Sequence, residues 1–122
     1  MQIETKEALQ DVEAIAAVPG IDVLFVGPFD LGNNIGHPIV NGVMHEDLEK
    51  GIKKVLDAAT QAGKKAGIFC TSGTQARKYA EMGFVMVSAA TDVMILQKGV
   101  GEAVDEGYGR EKGKALTGPY GK

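Results

Sequence analysis

The apolar residues of the chain follow two patterns, short uninterrupted runs and longer stretches at helical spacing. Val23–Val26 is the clearest run, and Gly20 and Gly27 flank it. A short apolar run of this kind predicts a strand that is buried on both faces, within a parallel sheet. Gly27-Pro28 then ends the strand and Asp30 follows. We therefore expect a carboxylate on a tight turn at the carboxyl end of a strand, where α/β folds place their chemistry.

The rest of the chain repeats this alternation of strand and helix. Such alternation predicts a parallel sheet with right-handed crossovers, and four units amount to half of an eight-stranded barrel of about 250 residues. In chain order we predict an extended piece at 1–4, a helix of about three turns capped by Thr5 and stopped by Pro19-Gly20, and the strand at 23–26. A surface loop at 32–38 follows, then a helix from Glu46 to Gly63 and a strand at 66–70. The remaining elements are a helix at 74–82, a strand at 84–87, a helix that begins at Thr91, and a Gly/Lys-rich flexible tail at 105–122.

Composition narrows the possible partners. The 122 residues suffice for one domain, and the net charge of -3 provides no broad basic surface for nucleic acid or an anionic membrane. Cys70 is the only cysteine, which precludes an intrachain disulfide and suggests a reducing compartment. No apolar run approaches the length of a membrane span. We therefore expect a soluble cytoplasmic protein.

Glu4 and Asp30 are the residues most suggestive of chemistry. They are separated by one helix and one strand, so in a parallel sheet they come from neighbouring strands and lie at the same edge. Two carboxylates at one edge suit a hard divalent cation. The alternative interpretation is that Asp30 only caps the turn after Pro28 and that Glu4 is a solvated residue at a frayed end.

Three short blocks of the sequence carry a resemblance to known proteins, namely Gln2-Ile3-Glu4-Thr5, Pro19-Gly20-Ile21-Asp22 and Gly27-Pro28-Phe29-Asp30-Leu31. Through them the chain resembles, up to about residue 104, the HpcH/HpaI class II aldolase and citrate lyase family of metal-dependent 2-oxo-acid aldolases. Macrophomate synthase, which decarboxylates oxaloacetate on the same scaffold, is the alternative nearer match.

The resemblance implies an α/β fold, with 1–104 forming strands 5 to 8 of a TIM barrel. It implies reversible cleavage of a 4-hydroxy-2-oxo acid to pyruvate and an aldehyde, with Mg²⁺, Mn²⁺ or Co²⁺ as cofactor. Glu4 and Asp30 match the metal ligands, and the turn formed by Gly27, Phe29 and Asp30 matches the site that binds the carboxylate of pyruvate. A half-barrel has open strand edges and exposed apolar residues, so we also expect a homo-oligomer.

The chain also departs from the family pattern. The family's arginine that orients the keto group and its acid–base histidine come from the first half of the barrel, which this sequence lacks. His37 and His45 fall in or beside a loop, and we predict that both are surface residues. Two alternatives therefore stay open: an inactive half-barrel or metal-binding module that needs a complementary half, and an open flavodoxin-type sheet in which Asp30 is only a helix cap.

Overall fold

The computed structural model describes residues 1–110, which divide into two units, 1–89 and 90–110. The first unit contains a parallel sheet whose four strands are β1 (Gln2–Ile3), β2 (Val23–Val26), β3 (Lys65–Ile68) and β4 (Met86–Val87). Its helices are α1 (Lys6–Gln10), α2 (Val12–Ala17), α3 (Pro28–Asn34), α4 (Glu46–Gln61) and α5 (Gly73–Met82). The second unit contains α6 (Asp92–Gly107).

The strands lie side by side in chain order, β1-β2-β3-β4. This order confirms the predicted alternation of parallel strands and crossover helices. It contradicts the flavodoxin-type alternative, because a doubly wound sheet reverses its strand order at an internal switch point. Sequential parallel order is instead the pattern of a barrel wall.

The core of the first unit lies between one face of the sheet and the helices. Leu24 and Val26 of β2 are fully buried on this face, beside Ala66 and Ile68 of β3. Apolar residues of α4 pack against them. The helical spacing predicts a buried stripe of Leu48, Ile52, Val55, Leu56 and Ala59. The structure buries these residues except Leu56, which is only half-buried, and it buries Ala58 as well.

The prediction that β2 is buried on both faces is wrong. Val23 and Phe25 point to the other face of the sheet and are only half-buried. On that face Phe25 extends across Gly67 of β3, whose missing side chain leaves room for the ring: a Cβ at Gly67 would lie 2.6 Å from Phe25 Cδ2. The second face therefore has a thin apolar covering rather than a packed helix layer.

The predicted first helix is interrupted. Thr5 caps α1 as expected, with its hydroxyl accepting a hydrogen bond from the Ala8 amide at 3.1 Å. The helix then breaks at Asp11, because the Lys54 ammonium donates to the Leu9 and Gln10 carbonyls at 2.9 and 3.3 Å. Those carbonyls would otherwise accept intrahelical bonds four residues further along.

The second unit begins with the predicted cap, since the Thr91 hydroxyl accepts a hydrogen bond from the Met94 amide. Helix α6 runs to Gly107, so the tail predicted to start at 105 is helical over its first three residues, and 111–122 lie outside the described residues. The other domain bounds stay a prediction. Among residues 1–110, no helix combines the length and apolar character that crossing a membrane requires.

Candidate functional site

The site predicted from sequence lies at the carboxyl edge of β1 and β2. The two strands pair in parallel with Ile3 opposite Val26, so Glu4 and Gly27 are the next residues on each strand. The Gly27 amide donates to the Ile3 carbonyl at 3.4 Å and continues the strand pairing by one residue. The sheet register therefore brings the end of β1 directly beside the turn after β2.

Gly27 lets the Glu4 carboxylate lie against this turn. A Cβ at position 27 would stand 3.3 Å from Gln2 Nε2, which is closer than most Cβ contacts, and 3.4 Å from Glu4 Oε2, where ordinary van der Waals contact begins. Glu4 is half-buried. Because β1 pairs with β2 up to Ile3, Glu4 does not lie at a frayed end, and its role as a metal ligand stays a prediction.

Asp30 lies in helix α3 and not in the predicted turn and loop. Pro28 occupies the first turn of this helix, where its fixed φ is favourable and its missing N–H costs nothing. The cap is Gly27, and no side chain caps the helix, so the interpretation of Asp30 as a capping residue is wrong as well. Asp30 is exposed in the first turn, and its neighbour Phe29 is 62% exposed.

Close packing holds α3 in place. Leu31 is fully buried, and a Cβ at Gly32 would meet the His37 carbonyl oxygen at 2.8 Å. The His37 amide donates to the Gly32 carbonyl at 2.8 Å. Asn34 Oδ1 accepts from the Lys6 amide at 2.7 Å and links the end of α3 to the start of α1. The backbone that carries Asp30 is thus fixed relative to the segment that follows Glu4.

Glu4 and Asp30 are the carboxylates that could hold a hard divalent cation here. Glu4 directly follows β1, and Asp30 lies in the first turn of α3, which begins directly after the residue that follows β2. Their role as a pair of metal ligands stays a prediction. The amides of Phe29 and Asp30 belong to the first helical turn, where no intrahelical acceptor exists. Such amides are neutral donors that suit an organic carboxylate.

The structure also brings together residues that the sequence reasoning set aside. His37 and His45 stack on each other, with ring centroids 3.9 Å apart, and both lie within 3.5 Å of Asp47 Oδ2. Their side chains are 36% and 51% exposed, so they are at the surface as predicted but are not isolated there. Asn41-Gly42, a strong signal for a two-residue hairpin turn, could have indicated that the chain folds back between them.

Cys70 does not contribute a reactive thiol. Its side chain is fully buried, and burial raises the pKa of the thiol. Its backbone forms two hydrogen bonds with the Ser88 hydroxyl, which accepts from the Cys70 amide at 2.8 Å and donates to the Cys70 carbonyl at 2.9 Å. The residue therefore fastens β3 to the segment after β4 and is a poor nucleophile.

Comparison with known proteins gives a consistent result. The family model described as HpcH/HpaI aldolase/citrate lyase matches residues 1–98. The hydroxypyruvate/pyruvate aldolase of Chromohalobacter salexigens is 38% identical over 104 residues, which are 85% of this chain and 40% of that protein. An HpcH/HpaI aldolase/citrate lyase family protein from Burkholderia cenocepacia has a crystal structure that matches with a TM-score of 0.80 at 38% identity, over 88% of this chain and 41% of that one.

Macrophomate synthase is more distant, with 26% identity and a TM-score of 0.77 over 88% of this chain and 37% of that structure. The chain spans about two fifths of the length of the relatives it matches. The prediction of a partial barrel is confirmed, because the solved structures of TIM-barrel type match over a part of their length and the sheet order agrees.

Proposed function

Because the chain belongs to the HpcH/HpaI aldolase/citrate lyase family, we propose that it carries the metal and pyruvate subsites of a metal-dependent 2-oxo-acid aldolase. The reaction is the reversible cleavage of a 4-hydroxy-2-oxo acid to pyruvate and an aldehyde. The sheet register, which places Glu4 beside Gly27 and so next to the segment that bears Asp30, is the observation that carries the proposal. The hydroxypyruvate/pyruvate aldolase named above supports the choice of 2-oxo acid.

Each residue of the site has a defined task in this proposal. Glu4 and Asp30 hold a divalent cation, with Mg²⁺, Mn²⁺ and Co²⁺ as candidates, and their two negative charges offset its charge. The cation, when bound, supplies Lewis-acid polarisation of the 2-oxo group. The Phe29 and Asp30 amides donate to the carboxylate of pyruvate and orient it without adding a charge.

Gly27 has no side chain next to the Glu4 carboxylate, so the carboxylate has room beside the backbone at this position. Phe29 presents its ring to solvent beside the site, where an apolar surface can exclude water from a bound substrate. Within residues 1–110, Cys70 is buried and neither histidine follows a strand end, so none of these three residues is placed as an acid–base group at this site. Proton transfer therefore falls to a group outside the residues described.

A second candidate function is a metal-binding half-barrel that is inactive by itself. The observation that favours it is the sheet, because β1 and β4 each have one unpaired edge among residues 1–110. Met86 of β4 and its neighbour Val85 are 55% and 62% exposed, which is unfavourable for apolar residues at an open edge. We propose that another polypeptide covers these edges, either a complementary half or a second copy in a homo-oligomer. Cytoplasmic location, and the absence of nucleic acid and membrane partners, stay predictions.

The test is pyruvate formation from a 4-hydroxy-2-oxo acid, followed by coupling to lactate dehydrogenase. The chain is assayed alone and mixed with the amino-terminal part of the Chromohalobacter salexigens aldolase, with Mg²⁺ and with EDTA. In whichever of the two arms pyruvate forms, we expect its formation to require the metal and to be abolished by Glu4→Gln and by Asp30→Asn. The matched control is Asp22→Asn, because Asp22 is an exposed carboxylate just before β2, at the opposite end of the strand.

The outcomes separate the two candidates. Pyruvate formation by the chain alone supports the aldolase, whereas formation only in the mixture supports the half-barrel that needs a partner. Pyruvate formation that persists in EDTA, or that survives both Glu4→Gln and Asp30→Asn, contradicts the proposed site. Loss of activity in Asp22→Asn would show that the assay reports general damage.

A further inference from the structure

Two histidines and an aspartate meet at the amino end of α4. His45 is the cap of this helix, Asp47 lies in its first turn, and His37 reaches them from the preceding loop. His37 Nε2 is 3.3 Å from Asp47 Oδ2, and His45 Nδ1 is 3.5 Å from the same oxygen. One donor atom from each of the three residues lies within 4.8 Å of the other two. The cluster does not include Glu4 or Asp30.

The three residues provide donor atoms of two kinds that metals use. His45 Nδ1 accepts a hydrogen bond from the Asp47 amide at 3.1 Å, so in this arrangement its lone pair is directed at the start of the helix. Asp47 Oδ2 is 3.5 Å from this nitrogen and accepts hydrogen bonds when the carboxyl is ionised. The carboxylate and the imidazole nitrogens are therefore close enough to reach one cation once Nδ1 is released from the amide.

The surrounding charges direct Oδ2 toward the histidines. Lys50 Nζ is 2.9 Å from Glu46 Oε1 and 3.6 Å from Asp47 Oδ1, the other oxygen of the carboxylate. The lysine thus satisfies Oδ1 and leaves Oδ2 to His37 and His45. With both imidazoles neutral, these groups have a net charge of about -1, which favours a dication over an anion.

We propose that His37, His45 and Asp47 form a second metal site, suited to a transition-metal dication such as Zn²⁺. In a tetrahedral zinc site with ligand bonds of about 2.0–2.2 Å, neighbouring donor atoms stand about 3.3–3.5 Å apart. The two distances to Asp47 Oδ2 have these values. Two imidazoles and one carboxylate also form a donor set that prefers zinc to magnesium.

Binding requires one small rearrangement. The two rings are nearly parallel, with 6° between their planes, whereas a shared metal needs both lone pairs to converge. One ring must tilt, and both side chains are exposed enough to move. His45 Nδ1 also gives up its capping hydrogen bond from the Asp47 amide, and metal binding must offset this loss.

The bound metal would fasten the loop before α4 to the helix itself. Between the two histidines, Val40 and Val43 exchange two backbone hydrogen bonds across Asn41-Gly42. His37 precedes this turn in the chain. Its amide donates a hydrogen bond to the Gly32 carbonyl of α3, and its own carbonyl oxygen packs against Gly32. A metal bound by His37, His45 and Asp47 would therefore link α4 to the loop segment that is already bonded to α3. We expect Zn²⁺ to raise the melting temperature of the chain.

The experiment is a calorimetric titration of the untagged full chain with Zn²⁺, in a Glu4→Gln/Asp30→Asn background with a large excess of Mg²⁺ present. The predicted stoichiometry is one Zn²⁺ per chain. His37→Ala and His45→Asn should each lower the affinity at least about tenfold, since loss of even a supporting group costs 10–100-fold at many metal sites. Asparagine is a good helix cap, so His45→Asn removes the imidazole and retains the cap.

Asp57→Asn is the matched control, because Asp57 is a surface carboxylate of the same helix that pairs with Lys53 and does not belong to the cluster. It should change the Zn²⁺ affinity by less than about twofold, as expected for a charge outside the ligand set. Titration with Co²⁺ gives a second readout, since nitrogen ligands produce visible absorption bands that His37→Ala should remove.

Three results would overturn the proposal. One is the absence of Zn²⁺ binding in the Glu4→Gln/Asp30→Asn background when the unmodified chain binds it, because the ion would then belong to the carboxylate pair. Another is the absence of Zn²⁺ binding in both proteins. The third is unchanged affinity in both His37→Ala and His45→Asn, with melting curves that show both variants folded.

Discussion

Gly27 allows the Glu4 carboxylate to lie against the backbone, so Gly27→Ala is a direct perturbation of the proposed metal site. The φ of Gly27 is -99°, which alanine adopts without strain. The new methyl group would stand 3.4 Å from Glu4 Oε2 and 3.3 Å from Gln2 Nε2. The crowded atom is Gln2 Nε2, which ends a flexible side chain and can yield by a few tenths of an ångström without moving the sheet, whereas Glu4 Oε2 would be at ordinary contact distance.

The effects on stability and on metal binding should differ in size. Replacing glycine by alanine at a compatible φ stabilises a protein by about 0.4–1 kcal/mol through the unfolded state, and crowding offsets this gain. We expect the free energy of unfolding to change by less than about 1 kcal/mol. The methyl group would limit how closely the Glu4 carboxylate can approach the backbone at position 27, so Mn²⁺ binding should weaken severalfold, up to about tenfold or about 1.4 kcal/mol.

The assay is a titration with Mn²⁺ followed by electron paramagnetic resonance, with urea unfolding measured on the same samples. Gly73→Ala is the matched control, because a Cβ there would have no heavy atom within 4 Å. The reasoning is refuted if Gly27→Ala binds Mn²⁺ as tightly as the unmodified chain. It is also refuted if Gly73→Ala weakens Mn²⁺ binding to the same degree.

Two further predictions concern the sheet and the core. Gly67→Ala should lower the free energy of unfolding in urea by about 1–3 kcal/mol. The reason is that the new Cβ would lie 2.6 Å from Phe25 Cδ2 and 3.0 Å from the Met86 carbonyl oxygen. A loss below about 0.5 kcal/mol, the usual size for a surface substitution, would contradict this prediction. Burial raises the pKa of Tyr79 to about 12, so the folded state holds its phenolic proton more tightly than the unfolded chain, and stability that is complete below about pH 10 should be lost as the pH rises toward 12. Tyr79→Phe should flatten this alkaline loss of stability, and an identical alkaline unfolding curve in the variant would contradict the assignment.

The strands and most helix ends could be predicted because their signals are local. Val23–Val26 is apolar and ends at Gly27-Pro28, and the observed strand has these bounds. Ser72 and Thr91 lie directly before helices and cap them with their hydroxyls. Such signals depend on a few neighbouring residues, so the sequence alone specifies them.

Two features depend on distant residues and could not be predicted. Helix α3 contains Gly32 and Asn34, which are poor helix formers, but Gly32 packs against the His37 carbonyl and Asn34 accepts from the Lys6 amide. The break at Asp11 exists because Lys54, from α4, binds the carbonyls there. Tertiary contacts override local propensity in both cases.

The sequence could predict the candidate site only as far as the topology of the sheet determines it. Parallel strands bring Glu4 and Gly27 to one edge, which follows from the order of the elements. The approach of His37 to His45 follows instead from the conformation of the intervening loop. That conformation depends on positive φ angles at Gly36, Asn41 and Gly42, and only the last two form a recognisable turn signal.

The central claim is that Glu4 and Asp30 bind the same divalent cation, and Mn²⁺ binding to single and double variants tests it most directly. The titration is made in a His37→Ala background, so that the histidine cluster does not contribute. If one ion is shared, Glu4→Gln and Asp30→Asn each remove most of the affinity, and the double variant loses little more, because the losses are coupled. Mn²⁺ binding that is absent from the starting protein, or that survives in the double variant, would contradict the claim.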